Sequence, residues 1–290
     1  MMKNIIEYFY KIEIEQIRYI NEKYYILSDN NNYIFEECKN RIEIKVLEET
    51  QRYNKFHRII TNIQGGIITT YENVNYILLK VVLKENRKIT LQDIEEISSL
   101  NVMNSLVQPE WNVLWSRKID NFEKYIMNKD ITFDFREYYD YFIGLGENAI
   151  VYYQYSKKSN VKNGLTYNRV KDNFTLWDLY DPINLTISFV VKGMAEYIKR
   201  EFFNNNPVDV EEIEDLELNY DESIALISRL LFPTYFFDIY RNGKEESKEK
   251  IKKIINLSPS YERYLKTIFK SIKKRYKSIP QIKWLASNQF

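Results

Sequence analysis

Two pairs of short apolar runs, each pair divided by a polar turn, fill much of the first third of the chain, and helical periodicity replaces them from Thr90 onward. This change of period constrains the fold more than any single residue, because a side-chain repeat of two builds sheets and a repeat of about 3.6 builds helices. The first pair is Tyr24 to Leu27 and Tyr33 to Phe35, split by Ser28-Asp29-Asn30-Asn31-Asn32, residues that tolerate turn conformations. The second is Gly66 to Tyr71 and Asn75 to Val82, turned at Glu72-Asn73. Tyr76, Leu78 and Lys80 alternate with Ile77, Leu79 and Val81 in a nearly continuous apolar run, which predicts a strand covered on both faces. Met2 to Ile12 fits an opening helix, and the stretch near Glu48 to Ile60 also reads as helical.

Thr90, with Asp93 three residues on, is a candidate N-cap for the first helix of the later region. Trp111, Leu114, Trp115, Ile119, Phe122 and Ile126 recur along one side of a helix expected to start after Pro109. Tyr138 to Tyr155 gives another, with Phe142, Leu145, Ala149 and Tyr152 on one stripe. Between Leu165 and Ile187 the pattern breaks into short runs around Gly164, Pro182 and Asn184, which predicts loops and short strands. Helical periodicity returns through Met194 to Phe203, Ile224 to Tyr240, and Tyr261 to Ile272. The class is α+β, with a small antiparallel-sheet N-terminal lobe over residues 1–84 and a larger helical C-terminal lobe over residues 85–290. That is the order of a bilobal, protein-kinase-like or aminoglycoside-phosphotransferase-like chain, although many α+β proteins also begin with strands.

Composition removes several function classes. With 42 Lys and Arg against 41 Asp and Glu, the chain has no net field to attract a nucleic acid, and Lys270 to Lys277 reads as a solvated helix face. A single cysteine, Cys38, forms no internal disulfide and, with the single histidine, His57, makes no zinc cluster. Cys38 reads as a buried small residue or an incidental thiol. His57, between Phe56 and Arg58, reads as a helix-face residue and not as a catalyst. No apolar run approaches the roughly 18 residues of a membrane span, and the start lacks a signal-peptide pattern. The protein is expected to stay inside the cell that makes it, without membrane insertion.

Local wording in the later helices narrows the family. Trp111-Asn112-Val113-Leu114-Trp115 with Lys118-Ile119-Asp120 and Glu123 forms one block, and Asp140-Tyr141-Phe142-Ile143-Gly144-Leu145 followed by Glu147-Asn148-Ala149-Ile150 forms another. Together with Ala195-Glu196-Tyr197-Ile198, Arg229-Leu230-Leu231-Phe232-Pro233 and the closing Ile282-Lys283-Trp284-Leu285, they resemble the YutH-type spore coat proteins. That family is a branch of the CotS-like coat proteins, so the resemblance implies the fold of small-molecule kinases, association with the spore surface, and a site that in several branches lacks catalytic residues.

Phosphoryl transfer needs a loop over the phosphates, a lysine to orient them, a base or positioning Asp, and ligands for magnesium. No glycine-rich loop is present: Gly65-Gly66 precede a strand, Gly144 and Gly146 fall within a helix, and the first predicted hairpin carries Asp29 and three asparagines instead. The strand Tyr33-Ile34-Phe35-Glu36-Glu37, where the nucleotide lysine is due, offers carboxylates that repel a triphosphate. Lys39 and Lys45 lie nearby in sequence, and Lys80 reads as an edge or interface lysine on the later strand. In active relatives the catalytic loop reads His-x-Asp followed by an Asn; the matching segment here is Tyr167-Asn168-Arg169, with Phe174 at the Asn position and Asn173 one place early. Arginine cannot accept a substrate proton, though it can bind an anion. The family spacing puts the magnesium Asp at Ser188 and the helix-start Asp at Gly193, with Asp178 and Asp181 upstream as remote candidate metal ligands.

No catalytic residue is therefore assigned. No cofactor is expected, and the residues do not support ATP with magnesium. Arg169, Asn173 and Lys80 are the candidates for holding an anion or nucleotide. The expected function is a spore coat structural or assembly protein on a pseudokinase fold, made in the cytoplasm of the sporulating mother cell, with other coat proteins as partners through exposed Tyr and Phe. Two alternatives stand beside it: an atypical kinase using Asp172, Asp178 or Asp181, and a regulatory module binding a nucleotide or another anion through Arg169.

Overall fold

The structure is a computed structural model that describes residues 2–38, 44–100, 102, 110–127, 138–167, 174–242 and 246–286. Residues 1–90 with 167–187 form one compact unit, and residues 91–166 with 188–290 form a second.

In the first unit, β1 (Gln16–Ile20), β2 (Lys23–Ser28), β3 (Asn31–Glu37), β4 (Arg58–Ile60), β5 (Thr69–Tyr71) and β6 (Val74–Lys80) build an antiparallel sheet. Its order is β1-β2-β3-β6-β4, with β5 also paired to β6. Three hairpins close through two residues each, Asn21-Glu22, Asp29-Asn30 and Glu72-Asn73, with φ between 45° and 68°. Two-residue hairpins between twisted strands need this left-handed backbone at both central positions, and Asn and Asp adopt it at the least cost.

Two departures from the sequence reading occur here. The first hairpin is β1–β2, ahead of the one centred on Asp29; β1 is exposed along nearly its whole length, so it carries no apolar alternation to betray it. The helix expected near Glu48 to Ile60 is confined to α2 (Ile44–Thr50), while Arg58–Ile60 pairs with β6 as β4. Pairing with a buried neighbouring strand overrides local propensity there. His57 consequently sits at a strand entry and is wholly buried, not on a helix face.

The two faces of the sheet are covered differently. Helix α1 (Met2–Tyr10) brings Ile6 and Tyr10, with Ile14, against Ile26, Phe35 and Leu78. The other face, Ile34, Ile77, Leu79 and Val81, takes Leu47 of α2, with Tyr25, Trp177 and Ile183 packed around it. Trp177 belongs to the short helix α6 (Leu176–Leu179), which is followed by a 3-10 turn at Pro182–Asn184. The strands β7 (Asn163–Tyr167) and β8 (Leu185–Phe189), which pair with each other, flank this excursion in the chain.

The second unit is helical: α3 (Leu91–Ser98), α4 (Trp111–Met127), α5 (Tyr139–Tyr153), α7 (Val191–Phe203), α8 (Val210–Glu214), α9 (Tyr220–Leu231), α10 (Thr234–Asn242), α11 (Glu246–Arg275) and α12 (Lys283–Ala286). The predicted stripe on α5 is buried as read, whereas Leu114 on α4 is 43% exposed, because Trp111, Trp115, Ile119 and Phe122 define the buried line one position away. The single helix expected over Ile224 to Tyr240 is two, broken at Pro233, which forces Phe232 into an extended backbone with φ −67° and ψ 118°. Phe142 stacks on Phe236 at 3.8 Å and Trp115 on Phe232 at 4.6 Å. Gly146 lets α4 approach, since a Cβ there would lie 3.0 Å from Ile119 Cδ1.

Candidate functional site

The β2–β3 register places Lys23 directly opposite Glu36, on the sheet face away from α1. Both are buried, each 6% exposed. The segment after β7 supplies two further acids. Thr175 and Asp178 form a capping box at the start of α6, in which Asp178 Oδ2 accepts from the Thr175 backbone N–H at 3.0 Å and from its hydroxyl at 2.9 Å. Asp181, fully buried, caps the 3-10 turn by accepting from the Ile183 N–H at 2.9 Å. These local caps aim the remaining carboxylate oxygens at one point: Lys23 Nζ lies 2.6 Å from Asp181, 3.1 Å from Glu36 and 3.4 Å from Asp178.

Burial alone would lower the Lys23 ammonium, but Asp181, Glu36 and Asp178 outweigh it and hold the group well above the ordinary lysine value. Burial raises Asp181 too, yet the Lys23 charge prevails and leaves it lowered. Glu36 goes the other way: burial and then the Asp181 charge push it well above the ordinary carboxylate range. His57 lies beside this cluster. Its backbone N–H donates to the Tyr180 carbonyl at 3.1 Å, and burial lowers its imidazole against the pull of Asp181. Chemically, the arrangement is one ammonium surrounded by three carboxyl groups.

Of the residues singled out from sequence, Asp178 and Asp181 are brought together, on Lys23. Among the described residues no group of three or more His, Cys, Asp and Glu could hold a metal ion. Lys80 is half-buried on β6, opposite Tyr33 and Arg58, and is not part of the cluster. Arg169 and Asn173, like Lys39, Lys171 and Asp172, lie outside the described residues. The ends of that segment are aromatic: Tyr167 and Phe174 are buried with ring centroids 5.4 Å apart. Ser188 is buried near the end of β8, and Gly193 in α7. Cys38 is half-buried, with burial pushing its thiol up to about 12. Lys23 was missed from sequence. Counting outward from the two-residue turn at Asp29-Asn30 would have set it opposite Glu36.

A second charge network, part-buried around the buried Lys199, lies in the helical unit. Glu196 Oε1 meets Lys199 at 3.2 Å and Arg229 at 3.0 Å, and Arg229 lies over the Trp111 and Trp115 rings at 4.7 and 5.9 Å. Every residue of this network comes from the blocks of sequence that carried the resemblance, or from the turn after one of them. An open cavity of 450 Å³ beside α3 is lined by Glu95, Glu96, Asp215, Glu217 and Glu222 with Lys162.

Comparison with known proteins agrees with this architecture. The sequence profile described as "Spore coat putative kinase YutH" matches residues 3–268. No curated protein matches the chain. Among solved structures, it is similar to an aminoglycoside phosphotransferase from Alicyclobacillus acidocaldarius subsp. acidocaldarius DSM 446, with a TM-score of 0.67 and 11% identity over 90% of this chain and 93% of that one. It is similar as well to spectinomycin phosphotransferase APH(9)-Ia in its AMP-bound complex, with a TM-score of 0.59 and 12% identity over 99% and 98% of the two chains. Identities this low carry the fold alone: a kinase-like fold with an antiparallel sheet at the N-terminus and a helical C-terminal part.

Proposed function

Since the chain belongs to the YutH family of spore coat proteins, whose fold is kinase-like, we propose that it is a structural or assembly component of the coat, built on a kinase fold that does not transfer phosphate. The observation that carries this reading is the commitment of Lys23. In kinases a strand lysine orients the phosphates. Here the third strand presents Glu36, and the lysine facing it is held by Asp181, Glu36 and Asp178. To serve a nucleotide, Lys23 would have to leave the buried Asp181 without its counter-charge, which costs about 3–5 kcal/mol for a buried pair.

Other features support the same reading. The β1–β2 turn is two residues, Asn21-Glu22, with no glycine and an acid directly before β2. Ser188 and Gly193 stand where the family spacing requires acids. Asp178 and Asp181, the carboxylates an atypical kinase would use for magnesium, already surround an ammonium, so a divalent cation would meet a like charge. Coat association follows from the family, and exposed Tyr8, Tyr19 and Tyr155 offer the kind of aromatic surface that suits contacts with other coat proteins. No helix among the described residues is long and apolar enough to cross a membrane.

Phosphorus NMR of Mg-ATP incubated with the full chain tests the loss of chemistry. No turnover is expected; magnesium-dependent consumption that disappears in Lys23→Met would contradict it. A fluorescent fusion in a sporulating cell should coat the forespore, and diffuse mother-cell fluorescence would contradict the coat role.

A further inference from the structure

The sheet face opposite α1 is covered partly by a segment whose side chains are unusual for simple packing. Trp177 places its indole over Tyr25, with ring centroids 6.3 Å apart and planes 28° from parallel, against the apolar floor that includes Ile34, Leu79 and Val81. Its Nε1 donates to the Leu83 carbonyl at 3.1 Å, just beyond β6. Backbone bonds clamp the same stretch: Leu176 N–H to Arg87 O at 2.8 Å, and Trp177 N–H to Asn86 Oδ1 at 3.2 Å. The adjoining Asp178 and Asp181 then deliver carboxylates to the buried Lys23. A flat fused bicycle stacked on an aromatic ring, an N–H aimed at a backbone carbonyl where adenine would offer its amino group, and anionic oxygens at a buried ammonium together parallel the chemistry of an adenine nucleotide, base followed by phosphate.

We propose that Lys23, Tyr25 and the Leu83 carbonyl form a nucleotide-class site that the chain's own Trp177, Asp178 and Asp181 fill as an internal mimic. The proposal rests on the non-catalytic reading above and adds the identity of the occupant. An occupant tethered within the same chain competes at high effective concentration, so free nucleotide is excluded without any loss of the site's shape. It also accounts for the presence of a well-formed lysine site in a protein that does not use it: Lys23 has an anionic partner, and that partner is built in.

The test uses the full chain and three probes: adenosine, AMP and indole. In wild type, millimolar amounts of any probe should leave the melting temperature unchanged. Trp177→Ala removes the bicycle, and in it adenosine or indole should raise the melting temperature by several degrees, an effect that adding Tyr25→Ala abolishes. A Trp177→Ala protein with native circular dichroism that responds to none of the probes overturns the mimic and leaves the non-catalytic reading intact. A saturable response of wild type to adenosine, with no ATP turnover, overturns the mimic alone; a response with turnover overturns both. Should Trp177→Ala not fold, Trp177→Val decides, because it keeps an apolar side chain on the floor while taking the ring off Tyr25 and the N–H from Leu83. Indole or adenosine should then stabilise that variant and not wild type, and silence of the folded variant overturns the proposal.

Discussion

Lys23 in the N-terminal sheet and Lys199 in α7 are both buried, 6% and 3% exposed, yet their surroundings push the two ammonium groups in opposite directions. Lys23 faces three carboxyl groups, which outweigh its burial and raise it well above its ordinary value. Burial lowers Lys199 to about 8; Glu196 opposes that, and the Arg229 charge reinforces it. Its other partners are neutral: the Arg229 carbonyl at 3.0 Å and the Thr234 hydroxyl at 2.8 Å. Lys199 and Arg229 in turn overcome the burial of Glu196 and hold it at about 2. One site therefore has an excess of acid around a single cation, and the other an excess of cation around a single acid. Lys199 ties α7 to the joint between α9 and α10, a scaffold role, whereas Lys23 stands where phosphate chemistry would be sought.

The contrast can be broken most severely at Lys23. Lys23→Met should cost about 3–5 kcal/mol of stability at neutral pH, read by urea unfolding, because buried carboxyls lose their counter-charge. That loss should shrink toward acid pH, where Asp181, no longer held down by Lys23, takes up a proton. Lys199→Met should cost less, about 1–3 kcal/mol, the price of leaving buried acceptors unpaired. Its pH signature sharpens the comparison. With its folded value near 8, below the ordinary 10.5, Lys199 binds fewer protons folded than unfolded in that interval, so it makes stability rise with pH there. Lys199→Met should flatten that rise. Lys23, raised above its ordinary value, gives stability that is fully present below that value and is lost only as pH climbs through the raised one. Thr175→Ala should have the smallest effect, about 1 kcal/mol, by removing the cap that orients Asp178.

The parts of the fold legible in the sequence were those governed by neighbours in the chain. Asp29-Asn30 and Glu72-Asn73 announced their hairpins, and the α5 stripe from Phe142 to Tyr152 followed from its spacing. What escaped was set by distant partners. β1 has little burial to mark it, and β4 forms because β6 offers an edge to Arg58–Ile60. The candidate site shows the same division. Glu36 was conspicuous as an acid in a lysine position, and Asp178 and Asp181 were noted as carboxylates without a register. Their convergence on Lys23 depends on a cross-strand pairing and on a segment some 150 residues later in the chain, as the separation of 158 between Lys23 and Asp181 makes plain. The blocks that carried the resemblance turn out to be packing words: Trp111, Trp115, Glu196 and Arg229 meet in one part-buried network.

Isothermal titration of the wild-type chain with Mg-ATP tests the central claim most directly, that Lys23 is committed to its own acids and unavailable to a nucleotide. No saturable heat is predicted at neutral pH. Saturable binding of Mg-ATP that vanishes in Lys23→Met, in a variant still folded by circular dichroism, would contradict it.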